Sequence, residues 1–520
     1  MTSTTTTAPS SSTTTSTTTP PPAPVLDPAG SYAVVAFTNH LPDFGNTVDG
    51  ATNRPWARLH TTRDYITMTR LIAQHDAKIV LSFSPTLLEG IAAGAAGTPD
   101  QAAVATAAPA AELTAELRAY IEDVFFQASP AQIDRFPRYR ELAERHAAGR
   151  SLSTTDYRDL QALFNLAWTS PLLLEEEPLL GLAAKGRGFS ESDKAVILET
   201  HQAALIEFLD ELDALSAAGT IEVATTPLAD PVLPLLVRNR MDEDAAAHIT
   251  RGHNVATAIL GRSPGGLVPQ AGLIDQANLP AVNEAGYRWL LLTGNDGDQP
   301  TLLTSEDGTL LALPTGPGHN ARIAQEYFSS DPNAAALDVI RRLDDQIDAA
   351  PGRVVTITAD GTEPWGRYED GGVAFLRSLM RQLGQANGFT TALPNDLGLS
   401  VPFPAGPNPE VPRSFLSEPA ELQAWAYLSE SRRQLLRSRD IGLVGADALD
   451  EAYQLILQAE GRDWYRWYGS ERSSGDDAFY DEMFRSKLEQ AWTLLGEAAP
   501  DWTKIPLHDS PPIPATRLNQ

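Results

Sequence analysis

The residues able to do chemistry gather in clusters that follow short apolar runs. FTNHLPDFG sets His40 and Pro42 just past the run at 31–37. TADGTEPWG ends a β-branched run on Asp360, although Asp-Gly is also an ordinary turn pair. In IEVATTPLADP, strand alternation puts Glu222, Ala224 and Thr226 on one face and Ile221, Val223 and Thr225 on the other. A carboxylate inside a strand needs a partner or a wet pocket, so Glu222 is either functional or held by a core donor. GGLVPQAGLIDQ at 265–276 reads as strand, turn and helix start. The end of a strand is where barrel enzymes present acids, bases and nucleophiles. This turn presents Gln270 and Ala271, which can be none of these.

Other chemistries have little support. No phosphate-cradling loop, dinucleotide fingerprint, HExxH or GxSxG is present in usable form. The nine histidines are scattered without paired ligand spacing, so no metal site is expected, and no cofactor. Cysteine is absent, which excludes disulfides and thiolate nucleophiles. Lys plus Arg number 39 against 67 Asp plus Glu, for a formal charge of −28. That field repels phosphate backbones and anionic lipid, so nucleic acid and membrane are not expected partners, and a neutral ligand such as a sugar suits it better. No apolar run is long enough to span a bilayer. The N-terminus lacks the charged and apolar regions of a signal peptide, so a cytoplasmic location is expected.

These clusters need a scaffold to bring them together. Strand-like runs fall at 31–37, 78–84, 221–226, 265–268, 288–293, 309–313 and 353–360, with amphipathic stretches between most of them. Strands alternating with helices predict an α/β fold with a mainly parallel sheet, and by pattern alone a barrel and a doubly wound sheet are equally suitable. Between 190 and 219, Ser190 with Asp193 reads as a capping pair, Leu198, Leu205, Leu209 and Leu212 as a shared face, and Gly219 as the exit. From about 415 three amphipathic helical stretches follow without an intervening strand. The expected organisation is a disordered Ser/Thr/Pro-rich tail at 1–29 and an α/β domain with helical insertions at 30–391. A Pro/Gly-rich crossing at 392–412, a helical domain at 413–503 and a tail at 504–520 complete it.

Taken in order, FTNHLPDFG, PWARLHTTRDY, FSPTLLEGI, GTIEVATTPLADPVLPLL, GGLVPQAGLIDQ and DGTEPW resemble glycoside hydrolase family 57, closest to its α-amylase and amylopullulanase-like branch. FPRYREL, DYRDLQALFNLAW and KGRGFSESDK look like the family's intervening region. LSEPAELQAWAYL, AEGRDWYRWYG and YDEMFRSKLEQAW look like its helical part, so about residues 31–500 are covered. The resemblance implies an incomplete, TIM-like (β/α)7 barrel followed by a helical domain. It also implies retaining chemistry on α-glucans, in which one carboxylate attacks the anomeric carbon and a second serves as acid and then base.

Carried over residue by residue, His40 keeps the histidine of the His-Gln-Pro motif. Glu222 keeps the glutamate of the second motif, and Asp230 replaces its later histidine. Asp360 keeps the acid/base aspartate and Trp365 the tryptophan of Asp-Gly-Glu-Asn-Ala-Trp. The nucleophile motif Gly-x-Trp-Pro-x-Glu-Gly aligns on 266–272, followed by Gly286 and Trp289, and puts Ala271 at the glutamate and Val268 at the aromatic. Ser470, Glu471 and Arg472 stand where Asp-Asp-His is expected. The expected substrate contacts are His40, Trp56, His60, Glu222, Asp230, Gln270, Trp365 and Trp425, around an α-glucan or maltooligosaccharide.

Three functions follow as expectations. One is a catalytically impaired homologue that binds glucan or regulates a related active enzyme. Another is an active hydrolase or transglycosylase using a displaced carboxylate, with Glu222 first and Glu363 and Asp275 behind it. The last is a structural or assembly role with a vestigial pocket.

Overall fold

The computed structural model describes residues 26–46, 49–350, 352–406, 416–469 and 473–507. The expectations for residues 1–25, for Ser470, Glu471 and Arg472, and for 508–520 lie outside the described residues, as does the 407–412 part of the crossing.

All seven expected strand runs form strands, and two more join them. They are β1 (Tyr32–Asn39), β2 (Ile79–Phe83), β3 (Ile221–Thr225), β4 (Gly266–Leu267), β5 (Trp289–Thr293), β6 (Thr301–Ser305), β7 (Gly308–Thr315), β8 (Val354–Asp360) and β9 (Thr390–Thr391). The order is β6-β7-β5-β4-β3-β2-β1-β8, with β9 beside β1. Every ladder is parallel except β6–β7, a hairpin on the edge strand. Removing β6 and the two-residue β9 leaves seven parallel strands that curl into an incomplete (β/α)7 barrel. Its two ends meet where the Thr315 and Thr358 hydroxyls lie 3.4 Å apart.

The side-chain period of two explains the layers. Val34, Ala36, Val80, Ala224, Trp289, Leu291 and Leu313 fill the inside of the barrel. Their neighbours Ala33, Val35, Phe37, Ile79, Leu81, Ile221 and Val223 pack outward against the helices. Strands buried on both faces need near-continuous apolar runs, which is why YAVVAF and IVLSF do not alternate with polar residues. Gly266 is required by close approach: a Cβ there would lie 2.1 Å from the Trp289 ring.

The long helix Glu191–Ala217 starts at the capping box of Ser190 and Asp193. Its buried face differs from the expected leucine stripe. Ile197, Ala204, Leu205, Phe208 and Leu212 are buried with Lys194 and His201, while Leu198 and Leu209 sit half-buried at its margins. Polar partners make the two charged-type residues tolerable there. Lys194 Nζ donates to Gln161 Oε1 at 2.9 Å, and His201 bonds Arg58 and Thr169.

Beyond residue 418 the chain is helical at Pro419–Ile441, Ala446–Ala459, Arg462–Arg466 and Asp477–Leu494. Trp425, Leu428, Ile456, Trp464 and Phe484 from these helices share one apolar core with Leu267, Leu290 and Ile249 of the barrel. Among the described residues, no helix is long and apolar enough to cross a membrane.

Candidate active site

A cavity of about 530 Å³ opens at the C-terminal ends of the strands. Inward alternation supplies its wall of hydroxyls: Thr38, Thr226, Thr293, Thr315 and Thr358 all line it. Charged groups reach it from loops and from the helical region. A second cavity of about 420 Å³ lies on the barrel flank, away from the strand ends. Among its lining charges, Arg58 pairs with Asp100 and Arg54 with Asp476, each at 2.6 Å.

Asp360 ends β8 at the cavity. Its Oδ1 accepts from the Thr362 and Glu363 backbone N–H groups at 2.7 and 3.0 Å. The carboxyl therefore closes a turn and faces the cavity at once. Burial pushes its pKa up, against the pull of those two N–H donors. A raised carboxyl can hold a proton for a leaving oxygen. Glu363 lines the rim and is exposed.

The opposite wall is the turn after β4. Pro269 leads into a 3-10 turn, Gln270–Gly272, in which Ala271 has φ 54° and ψ 20°. This left-handed conformation is uncommon for a side chain with a Cβ. It leaves the Ala271 methyl exposed at the cavity. Gly272 follows at φ 63°, and a Cβ there would lie 2.2 Å from the Thr293 nitrogen. The backbone is thus held closely against β5.

Gln270 is a bridge. Its Nε2 donates to Asp230 Oδ2 at 2.7 Å, and its Oε1 accepts from Arg462 Nη1 at 2.5 Å. Asp230 lies in the loop after β3, is 4% exposed and has φ 49°. Its Oδ1 is buried without a protein partner among the described residues. Burial pushes its carboxyl up to about 7, with His40 and Arg462 opposing and Asp463 assisting. His40 Nε2 sits 2.7 Å from Asp463 Oδ2. Burial alone would lower its pKa, but Asp463 and Asp230 outweigh that and hold it near 9. The imidazole is therefore protonated at neutral pH, and its second nitrogen, Nδ1, has no protein partner among the described residues.

The cavity thus brings together His40, Asp230, Gln270, Ala271 and Asp360. It does not include the other expected contacts. Glu222 faces inward, but it lies four residues before Thr226, roughly 13 Å down the strand. There Trp289 Nε1 donates to Oε1 at 2.6 Å and the Asn395 N–H to Oε2 at 3.1 Å. Of the two readings open to Glu222, the core-partner reading describes this geometry. Trp365 is 1% exposed, and its Nε1 donates to the Gly361 carbonyl at 2.9 Å. Trp425 packs on Tyr465 within the helical core. Trp56 packs on Trp168 with ring centroids 5.3 Å apart. His60 bonds Asp64 at 2.7 Å and does not line the cavity. Asp275 caps the next turn through the Ala277 N–H and does not reach the cavity.

Arg462, Asp463, Arg466, Trp467 and Tyr480 also line the cavity, and the strand-end reading did not single them out. The usable signal was GRDWYRWYG, a run mixing charges and aromatics far downstream of the barrel motifs. Among the described residues, no group of three or more His, Asp or Glu side chains could hold a metal ion.

The sequence model of glycosyl hydrolase family 57 matches residues 34–398. The chain belongs to glycosyl hydrolase family 57. Solved structures agree in fold. The α-amylase AmyC from Thermotoga maritima is similar at TM-score 0.58 and 12% identity, over 93% of this chain and 98% of that one. The family 57 branching enzyme from Pyrococcus horikoshii is similar at TM-score 0.54 and 12% identity, over 94% and 96%. That from Thermococcus kodakaraensis gives 0.53 and 13%, over 89% and 90%. No curated protein matches the chain. The family 57 match ends at 398, so Arg462 and Asp463 lie beyond it, in a part of the molecule that the structural likeness still covers.

Proposed function

We propose that this family 57 chain binds an α-glucan or maltooligosaccharide in the strand-end cavity and is impaired in retaining hydrolysis. One observation carries the reading: the Ala271 methyl stands exposed on the wall of the cavity that also holds Asp360. By resemblance, residue 271 is the nucleophile position. A methyl group cannot form a glycosyl ester, so the two-step route is closed. Losses of this kind are about 10⁴–10⁶-fold. The hydroxyl wall, His40, Asp230, Arg462 and the Trp467 ring supply the donors, acceptors and apolar surface that suit a neutral sugar. Neighbours named as an α-amylase and as a family 57 branching enzyme in complex with glucose support the ligand class. A cytoplasmic setting, the barrel and helical domains at 30–391 and 413–503, and a related active enzyme as partner belong to the same reading.

The test is calorimetry with maltoheptaose together with assay of sugar release from maltoheptaose, glycogen and pullulan. Binding with little or no α-configured product supports the reading, as does gain of retaining hydrolysis in Ala271→Glu. Absence of maltoheptaose binding sinks it.

A further inference from the structure

We propose that His248 is a positioning residue: buried where the barrel meets the helical region, it locks the loop that carries Asp230 to the segment that carries Arg462 and Asp463, and so sets the shape of the glucan-binding cavity. The glucan part rests on the reading above. His248 does not itself line the cavity, and it acts through residues that do.

The side chain is fully buried on the helix Asp242–Leu260. Burial pushes its pKa down to about 3, so the ring is neutral and has one donor and one acceptor. Its partners fix which nitrogen is which. The Ala229 N–H donates to Nδ1 at 3.4 Å, so the proton sits on Nε2, which donates to Glu460 Oε2 at 2.9 Å. A protonated ring would turn a second N–H against that of Ala229. Glu460 is 2% exposed, and burial with the neighbouring Asp244 pushes its carboxyl well up. Asp244 in turn accepts from the Tyr453 hydroxyl at 3.0 Å and from Arg432 Nη2 at 3.1 Å. A neutral imidazole thus meets a carboxyl that burial drives toward its neutral form, and the bond needs no buried charge.

Both partners stand next to cavity residues. Ala229 precedes Asp230, and Glu460 lies two residues before Arg462. The bonds reach 19 residues along the chain one way and 212 the other. Backbone contacts tighten the same joint. The His248 carbonyl accepts from the Leu228 N–H at 2.9 Å. One turn on, a Cβ at Gly252 would lie 2.9 Å from the Leu228 nitrogen and from the Thr226 oxygen. A Cβ at Gly461 would lie 2.7 Å from the Ala229 carbonyl oxygen, so the two segments meet with no room for a side chain. An apolar residue at 248 would bury the same surface without a polar group to satisfy, but apolar contact is non-directional and tolerates slip. The two bonds of the imidazole define angle as well as distance. On the cavity side, Gln270 makes the matching tie between Asp230 and Arg462.

The experiment reads the His40 imidazole titration by NMR and the calorimetric Kd for maltoheptaose in wild type, His248→Leu, His248→Gln and Gly461→Ala. Against burial, Asp463 and Asp230 hold His40 near 9, so its titration reports how close the two segments bring them. Gly461 has φ −55°, which alanine adopts freely, so that variant presses on Ala229 while keeping the imidazole. His248→Leu and Gly461→Ala should each lower the His40 titration by at least about half a unit and weaken maltoheptaose binding about 3–30-fold. His248→Gln, whose amide can still donate to Glu460, should restore most of both. Variants that lose stability but leave either reading unchanged overturn the proposal. Should His248→Leu fail to fold, Gly461→Ala decides by the same two readings. If wild type binds no maltoheptaose the glucan reading falls, and the His40 titration alone decides the positioning role.

Discussion

At the scale of residues, the cavity is a set of ionisable groups that burial and pairing all make hold their protons more tightly, with opposite consequences for stability. His40 is held near 9 against an ordinary 6.5. The folded state therefore binds that proton more tightly than the unfolded chain. The stability this contributes is complete below pH 6.5 and is lost as pH rises through 9. The shift corresponds to an effect on the order of 3 kcal/mol. Urea unfolding at pH 6 and pH 10 checks this: wild type should lose that much more than His40→Asn across the interval. Asp230 works the other way. Its carboxyl is raised from 3.8 to about 7, so folding is penalised increasingly as pH climbs through that window. Asp230→Asn should accordingly be more stable than wild type at pH 8, by up to about 4 kcal/mol. Equal or lower stability in urea would contradict the penalty.

At the scale of elements, the strand-to-turn junctions decide what the cavity sees. Strand alternation put Glu222 on one face with Ala224 and Thr226, and the structure makes that face the inward one. Alternation does not tell how far along the barrel axis a side chain sits. Glu222 lies at the lower end, where Trp289 holds it and burial raises it to about 7. Trp289→Phe should cost about 1–3 kcal/mol in urea unfolding, because a buried carboxyl loses its donor. Glu222→Gln should bind maltoheptaose within about 2-fold of wild type. A large loss of affinity would place Glu222 back among the ligand contacts. Gly272→Ala should cost about 1–3 kcal/mol through overpacking, since its Cβ would press on the Thr293 backbone. The tryptophans at 56, 365 and 425 teach a related lesson. Motif position made them candidate sugar platforms, and packing made them core, because a large ring near a strand end can be buried as easily as presented.

At the scale of the molecule, the barrel does not complete its own site. The helical region supplies Asp463 to His40 and Arg462 to Gln270, and Lys487 to Asp43 at 3.0 Å. These bonds span more than 190 residues of sequence. Asp463→Asn should bring the His40 titration down by at least about one unit, read by NMR of the imidazole, because the paired charge is the main force holding it up. An unchanged titration would show that Asp230 alone sets it.

The sequence by itself determined the alternation of strands and helices, the seven parallel strands, the order of the strand-end motifs and the alanine in the β4 turn. Each is local: period-two burial, capping residues and turn chemistry act within a few residues, so they are written in short stretches. Only the tertiary structure decided which polar residues share the cavity. It put Asp230 beside the Ala271 turn, sent Glu222 to the lower end of the barrel and brought Arg462 and Asp463 over the mouth. Those placements depend on depth along the barrel axis and on docking between distant segments. The free energy that fixes them is burial of a shared core, which no single stretch of sequence contains.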